Sequence, residues 1–359
     1  MEEKKGLLAV LAIQLVYAGY FLLTKLAFDV GMNTFVFVFY RQAAATLFLL
    51  PIAISLQRKA APPLPLSLFV KIFMLSLIGI TMSLDIVGVG LKYTSASLGA
   101  ATSNTLPVIT FFLALVLGME KVKIRSRAGV LKICGVTLCI GGVVTIAFYR
   151  GPFFKLLLHH HLIHNHLQQI QPHLPPPNTW LKGVFLMLLA NLCWAFWLVL
   201  QGRVLKSYPS KLLLTTLQCL LSTIQSFIVA ICVTRDPKDW QIEWNIRLLS
   251  VAYCGIVVTG FTFYLQTWVV EKKGPVYLSM TTPWIMVFTI ILSAFVFGEM
   301  IALGSVIGAI LLVGGLYFVL WGKAKEEEME KGECQQIVDV EKACGGSIGQ
   351  MTAATTTIK

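Results

Sequence analysis

Ten stretches of this chain are each about 20 residues long and nearly free of charge, the length of helix that crosses a bilayer. They cover roughly 7–28, 34–56, 69–91, 97–117, 128–149, 181–201, 212–233, 248–270, 275–297 and 303–322. In lipid every backbone polar group needs a partner inside its own segment, so such runs fold as helices. The expected fold class is an all-α membrane protein with ten transmembrane helices. Of the 359 residues 57% are hydrophobic and only 13% charged, against about 25% charged in soluble domains. An ordinary soluble enzyme, a disordered protein and a disulfide-stapled secreted domain are all excluded. Lys4 and Lys5 resemble the start of a signal peptide. The run behind them is too long and lacks a small-residue cleavage site, so it reads as a retained first span.

The formal charge of +12 does not point to nucleic acid, because the basic residues are dispersed between apolar runs. Membrane topology accounts for it better. With a cytosolic N-terminus, 14 loop Lys and Arg face the cytosol and 7 the opposite side, which satisfies the positive-inside rule. An even span count then puts both termini in the cytosol. The expected location is the plasma membrane, with the vacuolar membrane as its rival. Six of the 8 cysteines lie in apolar runs and none has metal-ligand spacing, so they read as small core residues or free thiols.

The two halves resemble each other. Glu120 is followed by Gly129 and Gly135, and Glu299 by Gly308 and Gly314, at the same intervals of 9 and 15 residues. Pro107 sits in the fourth run and Pro283 in the ninth. Tyr17-Ala18-Gly19 parallels Cys193-Trp194-Ala195, and Arg41 falls opposite Gln218. A duplicated unit with five spans must insert its second copy upside down, and inverted repeats are a transporter signature. The expected organisation is a first repeat over 7–149, a His/Pro-rich linker over 150–179, a second repeat over 180–322, and a disordered cytosolic tail over 323–359. All 6 histidines lie in the linker. They read as a tolerated insertion rather than a metal-capturing loop, since nothing sets ligand geometry.

Several polar groups fall inside the spans. Pro107 and Pro283 remove an N–H each and free the carbonyls of Ser103 and Ser279, beside Thr102, Asn104, Thr281 and Thr282. Either two related kinks line a polar cavity, or hydroxyls heal two structural kinks. Charged side chains in spans are costly and usually functional. Arg41 is about 12 Å below the start of its span and Asp85 about 9 Å from the outer end of its own, at about 1.5 Å per residue. That depth allows an Arg41–Asp85 pair, acting either as a lock or as a gate, while Lys25 is near enough to an end to snorkel. Helical spacing places Gln14, Ala18, Phe21 and Lys25 on one stripe, Asn191, Trp194 and Gln201 on a second, and Gln218, Ser222 and Gln225 on a third. Such stripes suit a small amphipathic solute or interhelical hydrogen bonding. The repeated glycines suit close helix packing.

No catalytic constellation appears: no histidine lies in a span, and H-E-x-x-H, G-x-S-x-G and Walker-A patterns are absent. The chain is therefore expected not to be an enzyme, to need no cofactor or metal, and to have a small organic solute and the lipid bilayer as partners. No nucleic-acid partner is expected, and a homo-oligomer is compatible with the sequence. The candidate pathway residues are Arg41, Asp85, Asn104, Pro107, Trp194, Gln218 and Pro283. Arg41 and Asp85 would bind or gate charge, Asn104 and Gln218 would hydrogen-bond the solute, Trp194 would pack against it, and the prolines would supply kinks. The alternative is a non-transporting receptor or scaffold that signals through the tail.

The strings GLKYTSASLGAATSNTLPVITFFLALVLGMEKV (Gly90–Val122), GPVYLSMTTPWIMVFTIILSAFVFGE (Gly274–Glu299) and GLYFVLWGKAKEEE (Gly315–Glu328) carry a family resemblance. With LVYAGYFLLTKLAF and FVFYRQAAATLFLLP near the start, they resemble the plant nodulin-like, Walls-Are-Thin-related transporters. These EamA-type members of the drug/metabolite transporter superfamily include the "usually multiple acids move in and out" transporters. The resemblance covers about residues 6–325 and is weakest in the linker and tail. It implies two five-helix EamA-type repeats around a central pathway for amino acids, auxin or related organic solutes. One departure stands out, since the family more often carries a neutral amide where this chain has Asp85.

Overall fold

The computed structural model describes residues 2–57, 64–118, 127–149, 151–154, 177–208, 210–279, 281–296, 301–304, 306–315, 317–319, 321–322, 325 and 329. The linker histidines and the tail from 330 onward lie outside the described residues, as does the reading made of each. The first half comprises α1 (Glu2–Asp29), α2 (Thr34–Gln57), α3 (Leu66–Leu75), α4 (Ser83–Lys92), α5 (Ala96–Ser103), α6 (Leu106–Val116) and α7 (Arg127–Phe148). The second comprises α8 (Pro177–Ser207), α9 (Lys211–Val233), α10 (Ile246–Ala252), α11 (Phe263–Lys273), α12 (Pro275–Ser279) and α13 (Pro283–Val296). A last apolar helix runs over Val306–Val319. Phe153–Phe154 pairs antiparallel with Ile301–Ala302, a two-residue ladder joining the start of the linker to the start of that helix.

Seven helices are long and apolar enough to cross a membrane among the described residues: 8–29, 34–56, 66–92, 98–116, 180–207, 211–233 and 246–273. Seven of the ten expected spans thus reach that length among the described residues. Two of the other runs hold shorter apolar helices, Gly129–Gly142 and Val306–Val319. The remaining run is divided into α12 and α13 at Pro283, which lacks the N–H that a continuous helix needs there.

Two long spans change pitch midway. Between α3 and α4 the chain forms a π-helical stretch over Ser76–Met82, and between α10 and α11 another over Tyr253–Thr262. These are the third run of each half, and π turns inside helices recur at functional sites. Each stretch bonds to the second span of the other half. Thr81 Oγ1 bonds Ser222 Oγ and Gln225 Oε1 of α9, both at 2.9 Å. Thr259 Oγ1 accepts from Arg41 Nε of α2 at 2.7 Å.

Local sequence fixes the ends. Ser95 caps α5 by accepting from Leu98 N at 3.1 Å, and Asn245 caps α10 by accepting from Arg247 N at 2.8 Å. Gly274, at φ +86°, ends α11 after Lys272 and Lys273, in a conformation other residues adopt at a cost. One buried core runs through both halves, and large apolar side chains such as Leu47, Phe112, Phe185 and Ile310 point outward. An outward apolar surface suits lipid as its solvent.

The close packing of α7 against Val306–Val319 depends on glycine. A Cβ on Gly135 would lie 2.5 Å from Gly315 O, and one on Gly142 would lie 2.7 Å from Gly308 O. Gly314, which the spacing sets against Gly135, meets nothing within 4 Å, and its neighbour Gly315 makes the contact. Cys139 and five other described cysteines are free thiols.

Candidate functional site

The helix breaks at the two prolines are the centre of the candidate site. At the first, α5 stops at Ser103 and α6 resumes at Leu106 with Pro107 in its first turn. At the second, α12 stops at Ser279 and α13 resumes at Pro283. Nearby hydroxyls supply backbone partners: Thr105 Oγ1 donates to Thr102 O at 2.8 Å, and Thr282 Oγ1 to Ser279 O at 2.8 Å. Broken helices at membrane depth are tolerated where they are buried in protein or line a cavity.

Both conditions hold here. A cavity of about 70 Å³ is lined by Ser103 and Leu106 at the first break and by Ser279 and Thr282 at the second. Its remaining walls come from α1, α2, α4, α8 and α11. An amide from the opening helix of each half reaches the break of the other half. Gln14 Nε2 donates to Thr281 Oγ1 at 2.6 Å, and Asn191 Nδ2 donates to Thr102 O at 2.8 Å.

Aromatic rings form one side of the cavity. Tyr17 and Trp194 meet edge to face with centroids 6.5 Å apart, and Trp194 stacks at 4.7 Å on Trp197. Gln266 Nε2 donates to the Tyr17 hydroxyl at 3.2 Å. Arg41, 1% exposed, also lines the cavity, with its guanidinium carbon 4.7 Å above the Tyr20 ring. Its Nε is satisfied by Thr259, but its Nη2 is buried and has no hydrogen-bond partner. Among the described residues Arg41 makes no ion pair. A buried cation without a carboxylate is expensive unless something else completes it.

Of the seven residues expected from sequence, the structure brings Arg41 and Trp194 to the cavity wall. Pro107 and Pro283 stand at the breaks beside it. Asn104 is buried next to the first break and donates to Met286 Sδ at 3.3 Å. Gln218 is 1% exposed in α9 with neither amide atom partnered, and it does not line the cavity. Asp85 is also outside the lining, and the Arg41–Asp85 pair that their depths allow is not formed among the described residues. Asp85 Oδ1 is buried without a partner. Lys25 pairs with Asp29 at 3.0 Å and donates to Leu91 O at 3.2 Å. Tyr17, Tyr20 and Gln266 are cavity residues that the sequence pattern did not single out. Only Tyr17 carries a signal there, as an aromatic residue one turn from the stripe members Gln14 and Phe21. No group of three metal-ligating side chains occurs among the described residues.

A multi-helix membrane body with a small cavity of mixed polar and aromatic lining at paired helix breaks fits the class of membrane transporters for small solutes. The comparisons place the chain within it: it belongs to the EamA-like transporter family, whose profile matches residues 4–148 and again 181–321. A WAT1-related protein of Arabidopsis thaliana is 55% identical over 335 residues, covering 91% of this chain and 92% of its own. Another WAT1-related protein of Arabidopsis thaliana is 46% identical, covering 95% and 98%. Protein WALLS ARE THIN 1 of Arabidopsis thaliana is 35% identical, covering 92% and 87%. A solved structure titled only "Crystal structure of protein" shares the fold at TM-score 0.59 and 14% identity, over 90% of this chain and 99% of that one.

Proposed function

We propose that the chain is a secondary transporter that moves a small organic carboxylate across a membrane by alternating access. Amino acids, auxin and related indole-type metabolites are the solutes that fit. The observation that carries this reading is the Arg41 guanidinium in the cavity wall, with Nη2 unpartnered and no carboxylate paired with it among the described residues. A solute carboxylate would supply what Arg41 lacks, and Tyr17, Trp194 and Phe21 offer faces for an apolar body.

At about 70 Å³ the cavity is far below the several hundred Å³ of a typical small-ligand site. Occupancy therefore requires the walls to part. The two breaks are where α5–α6 and α12–α13 can hinge, each against the rest of the bundle. The reciprocal bonds of Gln14 and Asn191 and the paired π stretches support two equivalent halves, as does one family profile matching twice. On this reading the halves are inverted five-helix repeats over 7–149 and 180–322, ten spans in all. The 150–179 segment links them, both termini are cytosolic, and the 323–359 tail is not needed for flux. Plasma membrane is the proposed site.

The test is radiolabelled flux in proteoliposomes with a panel of amino acids and indole carboxylates, with and without an imposed pH gradient. Saturable flux of a carboxylate that Arg41→Gln abolishes is the expected result. Absence of saturable flux across the panel overturns the reading.

A further inference from the structure

A second cavity lies on the other side of α8 from the first. Asn191, Trp194 and Leu198 of α8 face the central cavity, whereas Trp197, Leu200 and Arg203 turn to a groove between α8 and α3. The groove has a volume of about 490 Å³, seven times that of the central cavity. Gly79 rests against Trp197, since a Cβ there would lie 2.4 Å from the Trp197 Cβ. That contact sets the antiparallel register of the two helices. The start of α3 and the end of α8 therefore share one end of the groove, bringing Lys71 and Arg203 together there.

The groove is polar only at that end. Below the two cations its walls are Met74, Ile78, Trp197 and Leu200, and no acidic side chain lines it among the described residues. Met74 and Ile78 are 46% and 43% exposed, so the groove opens sideways onto the surface that faces lipid. Arg203 is not a wandering surface charge. Its Nη2 donates to the Leu117 carbonyl at the end of α6, and its other N–H groups make no hydrogen bond among the described residues. Neither Lys71 nor Arg203 forms an ion pair among the described residues.

We propose that this groove is a binding site for one anionic glycerophospholipid, its phosphate held by Lys71 and Arg203 and an acyl chain laid along Met74, Ile78 and Leu200. Charge complementarity selects the headgroup, because basic pockets between spanning helices hold anionic lipid heads. The lateral opening selects a lipid over a soluble anion, since a chain entering from the bilayer never leaves an apolar medium. The bound lipid would brace α3 against α8, the helix that also forms a wall of the central cavity. This site is independent of what the central cavity carries.

The test uses the full chain in detergent, titrated with dioleoylphosphatidylglycerol or dioleoylphosphatidylcholine, with retained lipid counted by native mass spectrometry. One phosphatidylglycerol should be retained at least tenfold more tightly than phosphatidylcholine, a size consistent with two cations near a headgroup. The double variant Lys71→Ala/Arg203→Ala should lower its affinity to that of phosphatidylcholine, and Lys71→Arg/Arg203→Lys should keep it. Leu200→Trp, which leaves the charge unchanged and fills the groove, should abolish retention; it decides the matter if the double alanine variant fails to fold. Undiminished phosphatidylglycerol in folded Leu200→Trp overturns the proposal, as does equal binding of the two lipids to the native chain. Displacement by glycerol phosphate at equal concentration, or an equal loss in Lys272→Ala, likewise overturns it.

Discussion

Asn191 Nδ2 donates to the carbonyl of Thr102 at 2.8 Å, so an amide of α8 completes the helix break of the opposite half. Gln14 does the same from α1 for the second break through Thr281 Oγ1. These two contacts tie the hinge of each half to the opening helix of the other. The Thr102 carbonyl also accepts from Thr105 N and Oγ1, so removing Asn191 leaves it bonded.

Asn191→Leu should therefore lower stability by only about 1 kcal/mol, the order seen for interhelical hydrogen bonds in membranes. Flux should fall by a larger factor than that loss explains, because the break is no longer referred to the opposing half. Gln14→Leu should behave alike. Thermal unfolding in detergent beside initial flux rates checks both, and flux equal to that of the native chain would remove the hinge role from these amides.

Gly315→Ala should cost about 1–3 kcal/mol, while Gly314→Ala should be close to neutral. A Cβ on Gly315 meets Gly135 O at 2.5 Å and Cys139 Sγ at 2.6 Å, whereas one on Gly314 meets nothing within 4 Å. The obstruction at Gly315 includes backbone, which no rotamer change relieves. Gly142→Ala and Gly141→Ala form a second such pair across the same contact, with Gly308 O at 2.7 Å and nothing within 4 Å respectively. Melting curves of the four purified variants test the pattern directly.

The helices were legible because lipid leaves a chain so few options: ten apolar runs became helices over their described residues, with prolines at the breaks. The extent of each break was less legible: Pro283 marks a kink in the sequence, but not that the helix stops at Ser279 and restarts at Pro283. The cavity was partly legible. Gln14, Phe21, Asn191 and Trp194 share stripes at helical spacing, and all four line it. Gln266 was hidden by the π stretch preceding it, since an extra residue in a turn rotates the rest of the helix out of phase with a 3.6-residue count. Gln218 looked equivalent to Arg41 by position, yet it lies outside the lining. Periodicity reports which residues share a face of one helix; which helix that face meets is a tertiary fact.

Asp85→Asn should change the pH dependence of flux and leave the fold intact. Asp85 is 9% exposed, its Oδ1 has no partner, and no described cation pairs with it. Asparagine keeps the shape and removes the titrating proton, so any part of the pH profile due to this carboxyl should disappear. Flux measured between pH 5 and 8 decides, and an unchanged profile would reduce Asp85 to a structural role.

Arg41 should govern affinity for the carboxylate, and Thr259 should govern how Arg41 is presented. Thr259→Val removes the acceptor 2.7 Å from Arg41 Nε and leaves a buried charged donor unpaired, a loss of about 1.5–3 kcal/mol in hydrogen bonding to a charged group. The guanidinium would then depend more on the solute, so bound solute should raise the melting temperature of Thr259→Val more than that of the native chain. Arg41→Lys keeps the charge but loses the planar fork that can bond both oxygens of a carboxylate, and should raise KM for flux by about tenfold or more. Arg41→Gln should abolish saturable uptake of the carboxylate while uptake of its amide analogue, which lacks the negative charge, changes little. Equal loss for both analogues would mean that Arg41 supports the fold of the cavity rather than the charge of the solute.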